Sequence, residues 1–173
     1  MTIAFKVEGD PAPQGSKAGR SYCGQTAKVC PQCHKPHLVN INMVDASKKL
    51  KPWRAKVTSK ARWVTGTVPD WTPMSSAVVV TVTFIMKRPL SHYGTGKNAD
   101  KLKDSAPDFP YIGAAALDVD KLARAILDGL TDAKVWDDDK QVVDLHVSKI
   151  FANLKSETEA YRHPGAYISV IGM

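Results

Sequence analysis

The sequence predicts one α/β domain, of α+β type, in which a mixed β-sheet packs with two main helices. Three features lead to this. Apolar residues alternate or run together at 2–8, 77–86, 141–151 and 166–171, the pattern of strands. Between them, about 48–64 and 117–130 repeat apolar residues at spacings of three and four, the pattern of helices. The resulting order is strand, helix, strand, helix, strand, strand, which suits a mixed sheet. A chain of 173 residues can bury a core without disulfides, and 1–173 reads as a single domain.

In the first strand Ile3, Phe5 and Val7 alternate with smaller or polar residues. Residues 9–24 are rich in Gly, Pro and Lys and read as a loop. The first helix sets Leu50, Trp53, Val57 and Ala61 on one stripe, with Asp45 and Ser47 as N-cap candidates and Pro52 acceptable only in the first turn. Residues 65–76 carry Gly66, Pro69 and Pro73 and read as a loop. Ala77 to Met86, dense in Val and Thr, reads as a strand buried on both faces. Residues 87–113 are long and polar, and loops of that length in a compact domain are usually functional or mobile. The second helix aligns Leu122, Ile126 and Leu130, with Ala125 beside them. The strand at 141–151 sets Val143, Leu145 and Val147 on one face, and the last strand follows a turn at His163 to Gly165.

Hydrophobic residues are 43% and charged residues 24%, which excludes collagen-like, coiled-coil and wholly disordered chains. Lys and Arg number 24 against 17 Asp and Glu, a net charge of +7 with a pI near 9.3. Such a surface favours a polyanion, nucleic acid first and an anionic membrane second. The longest apolar run, 77–86, is too short to span a membrane. The N-terminus lacks the pattern of a secretory signal, and the three cysteines are odd in number and clustered. The expectation is a reducing, cytoplasmic setting.

The acids of this basic chain gather in one stretch. Asp118 and Asp120 open the second helix, Asp128 and Asp132 lie near its end, and Asp137, Asp138 and Asp139 precede a strand. Crowded carboxylates call for a cation, and carboxylate oxygens from separate short elements suit Mg²⁺. Asp118 and Asp120 converge only where the chain is extended or just entering a helix. Asp139 joins them only if the next strand begins beside the helix start. The competing reading is helix caps and a solvated turn.

A second cluster reads Cys23-x₆-Cys30-Pro-Gln-Cys33-His34-x₂-His37. The Cys-Pro-x-Cys turn is shaped like a zinc knuckle, and Cys23, Cys30 and Cys33 with either His37 or His34 make a four-ligand set. Four protein ligands leave no open position, so such a zinc is structural. The competing reading is free thiols and surface histidines. Basic residues crowd the first helix (Lys48, Lys49, Lys51, Arg54, Lys56, Lys60, Arg62) and the long loop (Lys87, Arg88, Lys97, Lys101, Lys103). Either group can track DNA phosphates, and Lys48, Lys51, Arg54, Lys56, Lys60, Lys87, Arg88 and Lys97 are the DNA-binding candidates.

The stretch Leu117 to Leu145, LDVDKLARAILDGLTDAKVWDDDKQVVDL, resembles the signature of the RusA family of Holliday junction resolvases: Asp-x-Asp-Asn-Leu, then Asp-(Ala/Gly)-Leu-Thr, then Trp-x-Asp-Asp-x-Gln-Val-Val. Gly9, Pro11 and Pro13, the Arg88-Pro89-x-Ser91-His92-Tyr93 segment and Pro164-Gly165 resemble family features as well. The resemblance covers most of the chain except about 20–45, which reads as an inserted zinc-binding loop. It implies a RusA-like fold and a homodimeric, Mg²⁺-dependent endonuclease that nicks a four-way DNA junction symmetrically, in recombination, repair or phage DNA processing. The family's metal-binding acids fall on Asp118, Asp120 and Asp139, with Asp138 as the neighbouring acid. The family's Asn is Lys121 here, its basic residue one turn on is Arg124, and Lys149 matches a Lys near the end of the following strand. The resemblance implies that Arg124 or Lys149 neutralises charge at the phosphate. Two alternatives stand beside it: a non-catalytic, zinc-containing DNA-binding protein, and a nuclease of this fold that prefers forks or flaps.

Overall fold

The computed structural model describes residues 1–15, 17–22, 40–45, 48–113, 116–153 and 157–173, with backbone only for 17–22 and 40–45. Six strands and two long helices occur among them: β1 (Thr2–Glu8), β2 (Lys17–Tyr22), β3 (Asn40–Asp45), α1 (Leu50–Gly66), β4 (Val78–Met86), α2 (Val119–Asp132), β5 (Val142–Phe151) and β6 (Gly165–Gly172). Four strands form one mixed sheet in the order β1-β6-β4-β5. β6 runs antiparallel to β1 and to β4, while β4 and β5 are parallel. The α+β class is therefore observed.

Alternation decides which face the helices cover. Ile3, Phe5 and Val7 of β1, Val80, Val82 and Phe84 of β4, and Ala166, Ile168 and Val170 of β6 are buried in one core with Leu50, Trp53 and Val57 of α1 and Leu122, Ile126 and Leu130 of α2. The other face is more polar. Thr81 is exposed and Thr83 half-buried, so the first part of β4 is buried on one face only, not on both as its composition predicts. A run of Val and Thr does not say which neighbour covers each face. Where α1 and α2 cross, Gly129 is buried, and a Cβ there would lie 2.8 Å from Val57 Cγ1. Glycine is what lets the helices approach this closely.

Two further departures from expectation follow from strand pairing. Residues 17–22 are a strand, because they pair antiparallel with β3 from Lys17↔Asp45 to Tyr22↔Asn40, a partner that composition does not reveal. The register of β5 shifts between Val78 and Val79 of β4, so Val142 pairs with Val78 and Leu145 with Val80. Val143 leaves the alternation and is 62% exposed, so Val143, Leu145 and Val147 do not form one buried face. Residues 87–113, the long polar loop, carry short 3₁₀ turns at Leu90–His92 and Gly96–Asn98 and a bridge between Tyr93 and Leu102. None of the helices among the described residues is long and apolar enough to cross a membrane.

Candidate active site

The chain enters α2 extended. Asp118 stands at the N-cap position with φ −64° and ψ 126°, yet its side chain makes no capping hydrogen bond. It accepts instead from Lys121 Nζ at 2.5 Å. That hydrogen bond, and then the ammonium charge, hold the Asp118 carboxyl below the usual carboxylate range, with Lys149 adding to the effect. The same contact raises Lys121 above its ordinary value. Asp120 lies exposed in the first turn, where the helix dipole favours a carboxylate. Because β5 runs parallel to β4 and antiparallel to the helix before it, its far end rises beside the start of α2. There half-buried Lys149 donates from Nζ to Leu117 O at 2.7 Å. Arg124 is exposed one turn along. Asp128, the acid one further turn on, is bonded by Arg54 instead, at 3.1 Å. The structure thus brings Asp118, Asp120, Lys121 and Lys149 together, with Arg124 close by in sequence on the same helix.

Asp138 and Asp139 lie at the other end of α2. Asp138 caps the turn at Asp139–Gln141 and accepts from Lys140 N at 2.9 Å, which holds its carboxyl below the usual range. Gln141 Oε1 accepts from Asp138 N at 3.1 Å, and Gln141 Nε2 donates to Met74 O at 2.8 Å and Ser76 O at 3.0 Å. This pins the turn beside the beginning of β4. Trp136 is fully buried and donates to Thr131 Oγ1 at 2.8 Å, a packing anchor. The 14 residues of α2 span about 21 Å at 1.5 Å each. From Val142 to Lys149 the strand returns about 23 Å. The next strand therefore begins beside the helix end, not its start, and one chain does not gather Asp118, Asp120 and Asp139. Among the described residues no three His, Cys, Asp or Glu side chains come together closely enough for one ion.

A family model, Endodeoxyribonuclease RusA, matches residues 31–160. The chain belongs to the RusA family. It is thereby an endodeoxyribonuclease and not a non-catalytic binding protein. The matched span holds α1, β4, α2 and β5 with all the acids above, and β1 and β6 complete the RusA sheet from outside it. No curated protein matches the chain.

The basic residues of this RusA chain divide into two kinds. Lys48, Lys51, Lys56, Lys87 and Lys97 are exposed. Lys56 Nζ is 3.4 Å from Glu8 O, and Lys60 Nζ lies 4.1 Å from the centre of the exposed Trp63 ring. Arg54 and Arg88 are built into the fold. Arg54 ties α1 to α2 through Asp132 at 2.7 Å and Asp128 at 3.1 Å. Arg88 donates to Pro107 O at 3.0 Å and its guanidinium sits 4.5 Å from the Phe151 ring centre. Composition counts both arginines as surface charge because their partners are distant in sequence. Lys121 was visible as a departure from the family motif, and its spacing of three from Asp118 signals the pairing. Cys23, Cys30, Cys33, His34 and His37 lie outside the described residues.

Proposed function

We propose that this RusA chain is a Mg²⁺-dependent endonuclease that resolves four-way DNA junctions by paired, symmetric nicks, and that it does so as a homodimer. The observation that carries this is the placement of its acids at opposite ends of α2. Asp118 and Asp120 are exposed oxygen donors at a helix start, the donor type that Mg²⁺ takes, and the Asp118 carboxylate is held ionised by Lys121. The third acid, Asp139, belongs to the partner subunit in this proposal, with Asp138 supporting the turn that carries it. Bound there, the ion supplies Lewis acidity at the phosphate and a water of lowered pKa. Lys149, fixed by Leu117 O, offers a positive charge beside Asp118, and Arg124 offers another from the next turn. Two-fold symmetry then places two sites in the relation of the two cut strands. β5 is an edge strand with Leu145 39% and Val143 62% exposed, apolar side chains near the Asp139 turn that suit a subunit contact.

Mixing two inactive variants tests the shared site. Asp120→Asn and Asp139→Asn homodimers should each cut no junction. If the acids come from different subunits, the mixed dimer carries one intact site and one doubly damaged site, so nicking returns. If each chain holds its own site, the mixture stays inactive and the shared-site proposal fails. A labelled four-way junction, a fork and a plain duplex in the same assay separate junction resolution from fork or flap cleavage.

Residues 20–45 are proposed as a zinc-binding loop, held by Cys23, Cys30, Cys33 and His37 or His34. The pairing of Tyr22 with Asn40 supports it, since it closes the ends of the segment that carries all five. Elemental analysis should find one zinc per chain. Absence of zinc with all three thiols freely titratable in the native protein would remove it. The setting proposed is the cytoplasm of a bacterial or phage-infected cell.

A further inference from the structure

The start of α1 has the makings of an anion site. The helix is 17 residues long, its N-cap position is Lys49, whose side chain makes no capping bond, and its first turn holds no acid. The first N–H groups of a helix lack intrahelical partners and form the positive end of its dipole. Lys48, Lys49 and Lys51 crowd that positive end, an arrangement that is unfavourable unless an anion joins them. A cavity of about 320 Å³ opens there, lined by Asp10, Lys48, Lys49, Pro52, Trp53 and Lys56. Trp53 is 2% exposed, and its indole Nε1 has no acceptor among the described residues. A buried donor without an acceptor is a standing cost to the fold, which a ligand oxygen removes. Among the described residues, three lysines, the carboxylate of Asp10 and the Trp53 side chain line this cavity.

The cavity continues toward the acids. A second cavity of about 540 Å³ shares Asp10 and Lys49 with it and reaches Lys87 and Leu117. Leu117 O is the acceptor of Lys149 and immediately precedes Asp118. The segment between Asp10 and Gly15 spans the two helix starts, with Gln14 N donating to Lys121 O at 2.9 Å. The two adjoining cavities thus run from the start of α1 to Leu117, the residue before the N-cap of α2.

We propose that the cavity at the start of α1 binds a backbone phosphate of the same DNA strand whose scissile phosphate sits at Asp118, which rests on the DNA-cleaving function above. Lys49 and Lys56 neutralise it, and Trp53 Nε1 donates to one of its oxygens. The contact fixes how far the strand lies from the cleavage site and reads no base.

The four tryptophans, Trp53, Trp63, Trp71 and Trp136, give separate indole N–H signals in the ¹⁵N-labelled full chain. Inorganic phosphate added to metal-free protein at low ionic strength should shift the Trp53 signal saturably, and junction DNA should shift the same signal. Lys49→Ala with Lys56→Ala should abolish the phosphate response and lower the salt slope of junction binding by about two. Trp53→Phe, which keeps a ring in the core, should weaken junction binding about tenfold. The lysine pair decides the matter if Trp53→Phe does not fold. A silent Trp53 signal with junction binding and cleavage intact overturns this proposal alone. A phosphate response in a protein that neither binds nor cuts DNA overturns the DNA-cleaving function and with it the assignment to a DNA strand. A Trp53 response to an acidic peptide but not to junction DNA overturns it as well.

Discussion

Lys121 governs the state of Asp118. Its ammonium is 2.5 Å from the carboxylate, so the metal ion proposed at Asp118 would compete with a cation already in place. Replacing Lys121 with Asn, the residue of the family motif, removes the competitor and leaves a neutral amide. The expected outcome is a several-fold fall in the Mg²⁺ concentration needed for half-maximal cleavage, with cleavage at saturating Mg²⁺ little changed. An unchanged Mg²⁺ requirement would mean that the ion pair and the metal do not compete. The Asp118–Lys121 contact is legible in the sequence because spacing of three is a fixed neighbour relation on a helix. The partner of Asp128 is not. That carboxylate takes Arg54, 74 residues away, and only the packing of α1 on α2 brings them together.

At the scale of elements, the α1–α2 contact depends on one missing methyl group. A Cβ at Gly129 would lie 2.8 Å from Val57 Cγ1, and Val57 is fully buried. Gly129→Ala should destabilise the protein by about 1–3 kcal/mol, the usual cost of overpacking, as a lower midpoint in urea. A gain in stability would show that the helices shift apart freely. The turn before β5 carries a pH signature. Asp138 has a folded-state pKa below its unfolded value of about 3.9, chiefly because Lys140 N–H donates to its carboxylate. Its contribution is therefore fully present above about pH 3.9 and is lost as pH falls through the lower folded value. Asp138→Asn, which cannot ionise, should flatten the acid side of a melting-temperature profile in metal-free protein. An unaltered profile would assign that acid sensitivity to other groups.

At the scale of the molecule, α2 sets the distance between the acids, and in the proposed dimer a contact through the edge strand would bridge it. Leu145 is the more informative edge residue, since it pairs with Val80 on the helix-covered side of the sheet yet remains 39% exposed. Leu145→Lys places a charge on that edge strand at an exposed position. Sedimentation at micromolar concentration should show monomers, circular dichroism an intact fold, and junction cleavage a fall of more than about a hundredfold. A monomer that still makes paired nicks would refute both the dimer and the shared site.

Local periodicity by itself determined the two helices, the four strands of the main sheet and the α+β class, because the periods of helix and strand are printed in the order of apolar residues. The motif from Asp118 to Val143 likewise determined family membership and the set of acids. Only the tertiary structure decided how those acids are arranged. Whether β5 begins beside the start or the end of α2 depends on the pairing of β5 with β4, a contact between residues more than sixty positions apart. The same kind of distant pairing turned 17–22 into a strand, left Thr81 of β4 exposed, and tied Arg54 and Arg88 into the fold. A sequence records what each residue prefers among its near neighbours. Long-range partners are chosen by the packing of whole elements, and the separation of Asp139 from Asp118 and Asp120 is a property of that packing.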